Sequence, residues 1–344
     1  MRRRTLLAGL TAVALQRSTS AHSSPTANAG QLLVVDQVNH ACLIIDVATG
    51  ATLKTVAVGV NGHEAAVSND GRFGYVPIYS DHIIGQAGTD GSTIDVIDLD
   101  SRERVSSLDI GPVRPHSIAV LADGRQLVTA ELRQSVAVID PRRPSPVEWI
   151  STGRPQSHLV AWSRELNRAF TANVDSGTVS VLDLAARRLV GVIEVASSVQ
   201  RISVSRDGRQ AFTHDQTLPR LAVIDALGVK LAHWIDLPGR AYASRAAPDG
   251  RLFVAAPWGD GPVNAPERKG RLYIVDPKTG SVLNSLLIGG IPLSIIFSAR
   301  GDMAYVSLYD TGEIVEIDVQ SLTVRRRLTG AKGADGLAYR PGVA

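Results

Sequence analysis

Along most of this chain apolar and polar residues alternate in runs of four to eight, and the runs are separated by Gly, Asp, Asn and Pro. Alternation with a period of two predicts short half-buried strands, and the separators predict tight turns. One element recurs: an apolar run closing on aspartate, seen as "LIID", "IDVID", "VAVID", "VSVLD", "LAVID", "LYIVD" and "IVEID", ending at Asp46, Asp98, Asp140, Asp183, Asp225, Asp276 and Asp318. The intervals are 52, 42, 43, 42, 51 and 42 residues, a period near 42 with two insertions. Each period holds four runs, as in "HSIAVLADG", "RQLVTAEL", "SVAVID" and "VEWIST", and helical periodicity is nearly absent.

Four strands per period of this length predict an all-β, seven-bladed β-propeller of antiparallel four-stranded blades. The inner strand of each blade starts near residues 63, 116, 158, 200, 242, 293 and 335, and the last start has no further strands after it. The chain instead begins with three orphan strands, "QLLVVDQ", "CLIIDVA" and "ATLKTVAV", so "DGLAYRP" is expected to join them in one mixed N-/C-terminal blade that closes the ring and removes exposed edges. The copy "FTANVDSGTVSVLDL", residues 170–184, resembles the YVTN (YncE-like) propeller repeat, and the resemblance spans residues 31–344. It implies the same fold and leaves function open, because one fold hosts many functions.

Seven copies serve as an internal control. A residue present in nearly every repeat serves the fold, so the seven closing aspartates are expected to bond turn backbone, and the "DG" pairs at 70–71, 123–124, 207–208 and 249–250 to turn the inner hairpins. These mark one face of the disc. On the other face the repeats differ: the residue opening the inner strand reads His63, His116, His158, Gln200, Tyr242, Leu293 and Asp335, and the end of the second strand includes Glu131, Asn173 and Asp215. Six of eight histidines fall there, as do both insertions, 81–91 and 258–270, which are placed to wall a central pocket. Arg114, Arg154, Arg201 and Arg240 enter the same rim and would favour an anionic ligand.

Charge and leader alter the picture of compartment and partner. The net charge of +3 rests on Arg2, Arg3, Arg4 and Arg17, without which 32 basic residues face 33 acidic ones, so a nucleic-acid partner has no support. "MRRRTLLAGLTAVAL" has a basic start and an apolar stretch too short to span a bilayer. Residues 1–29 are expected to be a signal peptide cut after Ala21 or Ala29, by the general or the twin-arginine route, leaving 30–344 as a single domain in the periplasm or outside the cell, with no membrane span. Cys42, the only cysteine, lies in "ACLIIDV" and is expected to be a buried hydrophobe.

Three functions stay open. His116, His158 and Glu131 would be acid and base for lactonase- or lyase-type chemistry on a small anionic, carboxylate or lactone-type molecule, with Arg114, Arg154, Arg201, Arg240, Tyr242, Asn173, Asp215 and Gln200 around it. His63, His116 and His158 would alternatively hold a divalent metal ion. A non-catalytic cell-envelope protein that binds another protein is the third. No phosphate loop, G-x-S-x-G elbow or C-x-x-C-H motif is present in the sequence.

Overall fold

The computed structural model describes residues 30–82, 87–259 and 270–342. The leader with its two cleavage positions and the tips of both insertions, 83–86 and 260–269, lie outside the described residues. Seven four-stranded antiparallel sheets follow one another around a central channel. Blade 1 is the mixed one: Ala334–Arg340 is innermost, followed outward by Gln31–Asp36, Ala41–Asp46 and Thr52–Ala57. Its closing ladder pairs Gln31 with Arg340, Val34 with Leu337 and Asp36 with Ala334.

Blades 2 to 7 have as inner strands Ala66–Val67, Pro115–Val120, Ser157–Ser163, Ile202–Val204, Ala243–Ala246 and Pro292–Phe297. In blades 2, 5 and 6 the ladder therefore starts later than the alternation predicts, and His63, Gln200 and Tyr242 stand just ahead of it. Around His63 the pairing reduces to an isolated bridge between Gly62 and Ile78.

Among the described residues the buried apolar side chains form seven clusters, each made by two neighbouring blades. No blade has a core of its own, so each is stable only against its neighbours. Cys42 is buried in the cluster between blades 1 and 2, where burial pushes its thiol up to about 12.

The repeated residues do what repetition predicts. Asp183 Oδ1 accepts hydrogen bonds from the backbone N–H groups of Ala185 and Ala186 at 2.9 and 2.8 Å, and the other six closing aspartates accept from the equivalent turns. In the inner hairpins Gly71, Gly124, Gly208 and Gly250 sit at φ between +66° and +90°, where a Cβ would be strained.

Candidate functional site

Adjacent blades 2, 3 and 4 deliver His63, His116 and His158 side by side. The His63 and His116 ring centroids are 4.5 Å apart and those of His116 and His158 only 3.6 Å, each pair tilted by 36°. Tyr79 stands edge-on to His63 and His116 at 5.2 and 5.3 Å.

Glu131 leaves the strand Gln126–Ala130 in a single 3-10 turn, Glu131–Arg133, which turns its carboxylate into the protein. Its Oε1 lies 2.5 Å from His158 Nδ1, and its Oε2 accepts from the Tyr79 hydroxyl at 2.7 Å. A carboxylate beside an imidazole nitrogen fixes the tautomer: Nδ1 carries the proton and Nε2 keeps its lone pair. That Nε2 faces the Gln200 amide at 3.5 Å. His63 is held similarly, with Nδ1 3.1 Å from Asp335 Oδ2 and Nε2 2.9 Å from Gln37 Nε2.

His116 is different. It is 1% exposed, and neither ring nitrogen has a hydrogen-bond partner among the described residues. Burial, then the neighbouring His158, His63 and Arg201, push its pKa well below the ordinary imidazole value, so the ring is neutral at pH 7.

Arg201 closes the channel beneath these rings. From blade 5 it crosses the axis to Glu64 of blade 2 at 2.7 Å and to Asp335 of blade 1 at 2.8 Å, with its guanidinium 5.0 Å from the Tyr242 ring centroid. Burial raises the Glu64 carboxyl more than Arg201 lowers it. Burial also works against the Asp335 charge, but the hydrogen bond to His63 and the charge of Arg201 prevail and hold its pKa low. Buried among its partners, Arg201 bridges opposite blades, its guanidinium paired with Glu64 and Asp335.

The other rim residues are likewise engaged. Arg114 meets Asp90 at 2.5 Å and His82 Nε2 at 2.7 Å. Arg154, partly exposed, lies 3.6 Å from Glu194. Arg240 stacks over Trp258 at 4.1 Å and donates to the Gln216 carbonyl. Asn173 accepts from Ser157 and Thr171 and donates to Thr178 and Ser180, all inside blade 4. Asp215 caps its own turn through the backbone N–H groups of Thr217 and Leu218 and pairs with Arg220. Short local bonds hold both away from the histidines.

The metal expectation meets the ring geometry. The His63, His116 and His158 rings lie one beside the next, tilted by 36°, and among the described residues no group of three or more His, Cys, Asp or Glu is disposed to hold a metal ion.

A cavity lies on the other side of Arg201 from the histidines. About 700 Å³ in volume, it begins at Glu64, Ser117 and Arg201 and runs to Asn69, Arg206 and Pro248, so it opens toward the Asp-Gly turns on the opposite face.

Tyr79, Glu64 and Gln37 belong to the cluster without having been singled out from the repeats. A signal for Glu64 exists one position further along the inner strand, where the seven blades read Glu64, Ser117, Leu159, Arg201, Ala243, Ser294 and Gly336. Only two are charged, and their signs are opposite. Tyr79 sits beside the first insertion, where the repeat phase breaks.

No known family profile matches the chain, and no curated protein matches it. Solved structures do. The periplasmic gluconolactonase of Pseudomonas aeruginosa superposes with a TM-score of 0.69 at 20% identity, covering 91% of this chain and 99% of that one. A functionally unknown protein from Desulfotomaculum acetoxidans DSM 771 gives 0.73 at 12% identity, covering 91% and 100%. Kuenenia stuttgartiensis hydrazine synthase gives 0.66 at 16%, covering 82% and 90%. At such identity the likeness is one of fold: this chain is a seven-bladed β-propeller similar in architecture to a lactonase-type propeller, among others. Among the described residues no helix is long and apolar enough to cross a membrane.

Proposed function

We propose that this chain is an exported propeller, of the YVTN or YncE-like kind its repeats resemble, that opens or rearranges a small lactone- or carboxylate-type molecule by proton transfer at the histidine cluster. The observation that carries this is the Glu131–His158 contact of 2.5 Å beside His116, a buried neutral imidazole with no hydrogen-bond partner among the described residues. A buried polar group left unpaired by its own protein calls for a reason, and a catalytic role is one.

In a lactone hydrolysis, His158 Nε2 takes a proton from water as the water oxygen attacks the carbonyl carbon. Glu131, already bonded to Nδ1, stabilises the imidazolium that forms. His116, neutral, donates its N–H to the carbonyl oxygen as charge develops there. The ring C–O bond then breaks, the imidazolium returns its proton to the leaving oxygen, and the product is a hydroxy acid. Because Arg201 is already paired with two carboxylates, the cluster suits a substrate that is neutral until it opens. The leader and the fold of a periplasmic gluconolactonase support an exported setting.

The test is a pH-stat assay of the protein against a panel of five- and six-membered lactones. Turnover of at least one is expected, falling by roughly 10²- to 10⁴-fold in His158→Ala, His116→Ala and Glu131→Gln. The losses in a triple variant should not add, because the three act as one unit. A panel left intact by the wild-type protein removes the enzyme reading and leaves a non-catalytic envelope protein, whereas full activity in His158→Ala removes the histidine cluster as the site of the chemistry.

A further inference from the structure

The cavity facing the Asp-Gly turns is lined by the inner strands of all seven blades, or by the residues beside them, and its walls repeat like the rest of the fold. The residue three positions after His63, His116, His158 and their repeat equivalents lines it in every blade. That residue is alanine in four (Ala66, Ala119, Ala161, Ala338), with Ser203 and Ile296 in two more, and Arg245 in blade 6. Arg245 is the only charged residue among the seven. It places a guanidinium where the channel otherwise calls for a small side chain.

Arg245 has no ion pair or hydrogen bond among the described residues, and its surface is accessible from the cavity. The surrounding disc still limits its solvation, since burial draws its pKa below the ordinary arginine value while Glu64 acts the other way. Arg206, also accessible, stands near the mouth and donates to the Pro248 carbonyl at 3.0 Å. Glu64 is the one carboxylate in the lining, and Arg201 already pairs with it at 2.7 Å. The cavity therefore carries a net positive charge from Arg245 and Arg206. Ser203 and Ser244, hydrogen-bonded to each other at 2.9 Å, add hydroxyl groups beside Arg245. Trp162, Phe297 and Tyr339 supply apolar wall.

We infer that this cavity is a second binding site, separate from the histidine cluster, and that it takes a small organic anion whose carboxylate or phosphate group is held by Arg245. A guanidinium presents two parallel N–H groups to such an anion, and the low-dielectric walls strengthen the attraction. An approximately 700 Å³ cavity admits a molecule of metabolite size. The Arg201 strut separates this ligand from the rings on the other side.

The test is calorimetric titration of the full protein with citrate, and separately with inorganic phosphate, in a zwitterionic buffer at low salt. Citrate is expected to bind once per chain, at least 10-fold more weakly in Arg245→Ala and unchanged in His158→Ala. Arg245→Ala installs the residue that four blades already carry there; Arg245→Ser, which copies Ser203, is the second variant if the first fails to fold. Saturable binding by neither anion overturns the inference, and so does equal citrate affinity in wild type and in the folded Arg245 variant. Lactone turnover retained in Arg245→Ala keeps the two sites distinguishable, so either reading can fail alone.

Discussion

His214 shows how a single side chain ties stability to acidity. It is fully buried at the end of the strand Gln210–His214, has no hydrogen-bond partner among the described residues, and burial followed by the charge of Arg201 lowers its pKa from 6.5 to about 3. The unfolded chain takes up a proton near pH 6.5 while the folded chain refuses one until about pH 3. The folded state thus has its full stability above pH 6.5 and loses it as pH falls through that window. Between pH 7.5 and 5 this one group accounts for about 2 kcal/mol. His116, shifted in the same direction, adds to the slope. Urea melts at the two pH values should show His214→Gln losing less stability on acidification than wild type, by about that amount. An identical pH dependence in both proteins would mean the ring is protonated in the fold.

At the scale of the element, Asp183 is the test of repetition. Its Oδ1 satisfies two turn N–H groups after the strand Thr178–Asp183, at an exposed site far from the histidines. Asp183→Ala should destabilise the protein modestly, as loss of a capping side chain does, and leave lactone turnover unchanged. Chemical denaturation and the pH-stat assay measure the two halves. This kind of residue was legible in the sequence because its bonds span two or three positions and recur seven times. The Glu131–His158 meeting was legible too, since the ends of antiparallel strands in neighbouring blades fall on one face. What the chain order concealed was the reach of Arg201, whose partners lie 137 and 134 positions away on the opposite side of a ring. Periodicity places a residue on a face; it does not say how far a long side chain extends across an axis. The bonds of Asn173 and Asp215 are local instead, made to hydroxyl and backbone groups two to a few positions away.

For the molecule as a whole, seven interblade cores make stability a property of the ring, and the ring depends on Ala334–Arg340. Removing residues 334–344 would strip the inner strand from blade 1, expose the edge of Gln31–Asp36, and take Leu337 from the cluster shared with blade 7. Thermal melting of the truncated protein should shift sharply downward, with a gain in self-association through the bared edge. A melt matching that of the longer protein would show that the seam bears little of the load.

Arg201 gives the ring an order in time. Of the three charges it joins, Glu64 is synthesised first, Arg201 midway and Asp335 last. A chain emerging from the ribosome can bring the first two together, but the remaining carboxylate arrives only with the strand that fills the gap beside the first blade. Until then Arg201 has only the first of its two carboxylate partners within the chain. Completion of the Arg201 bridge and pairing of the strand Ala334–Arg340 with Gln31–Asp36 are thus one late event, however well the other blades have formed.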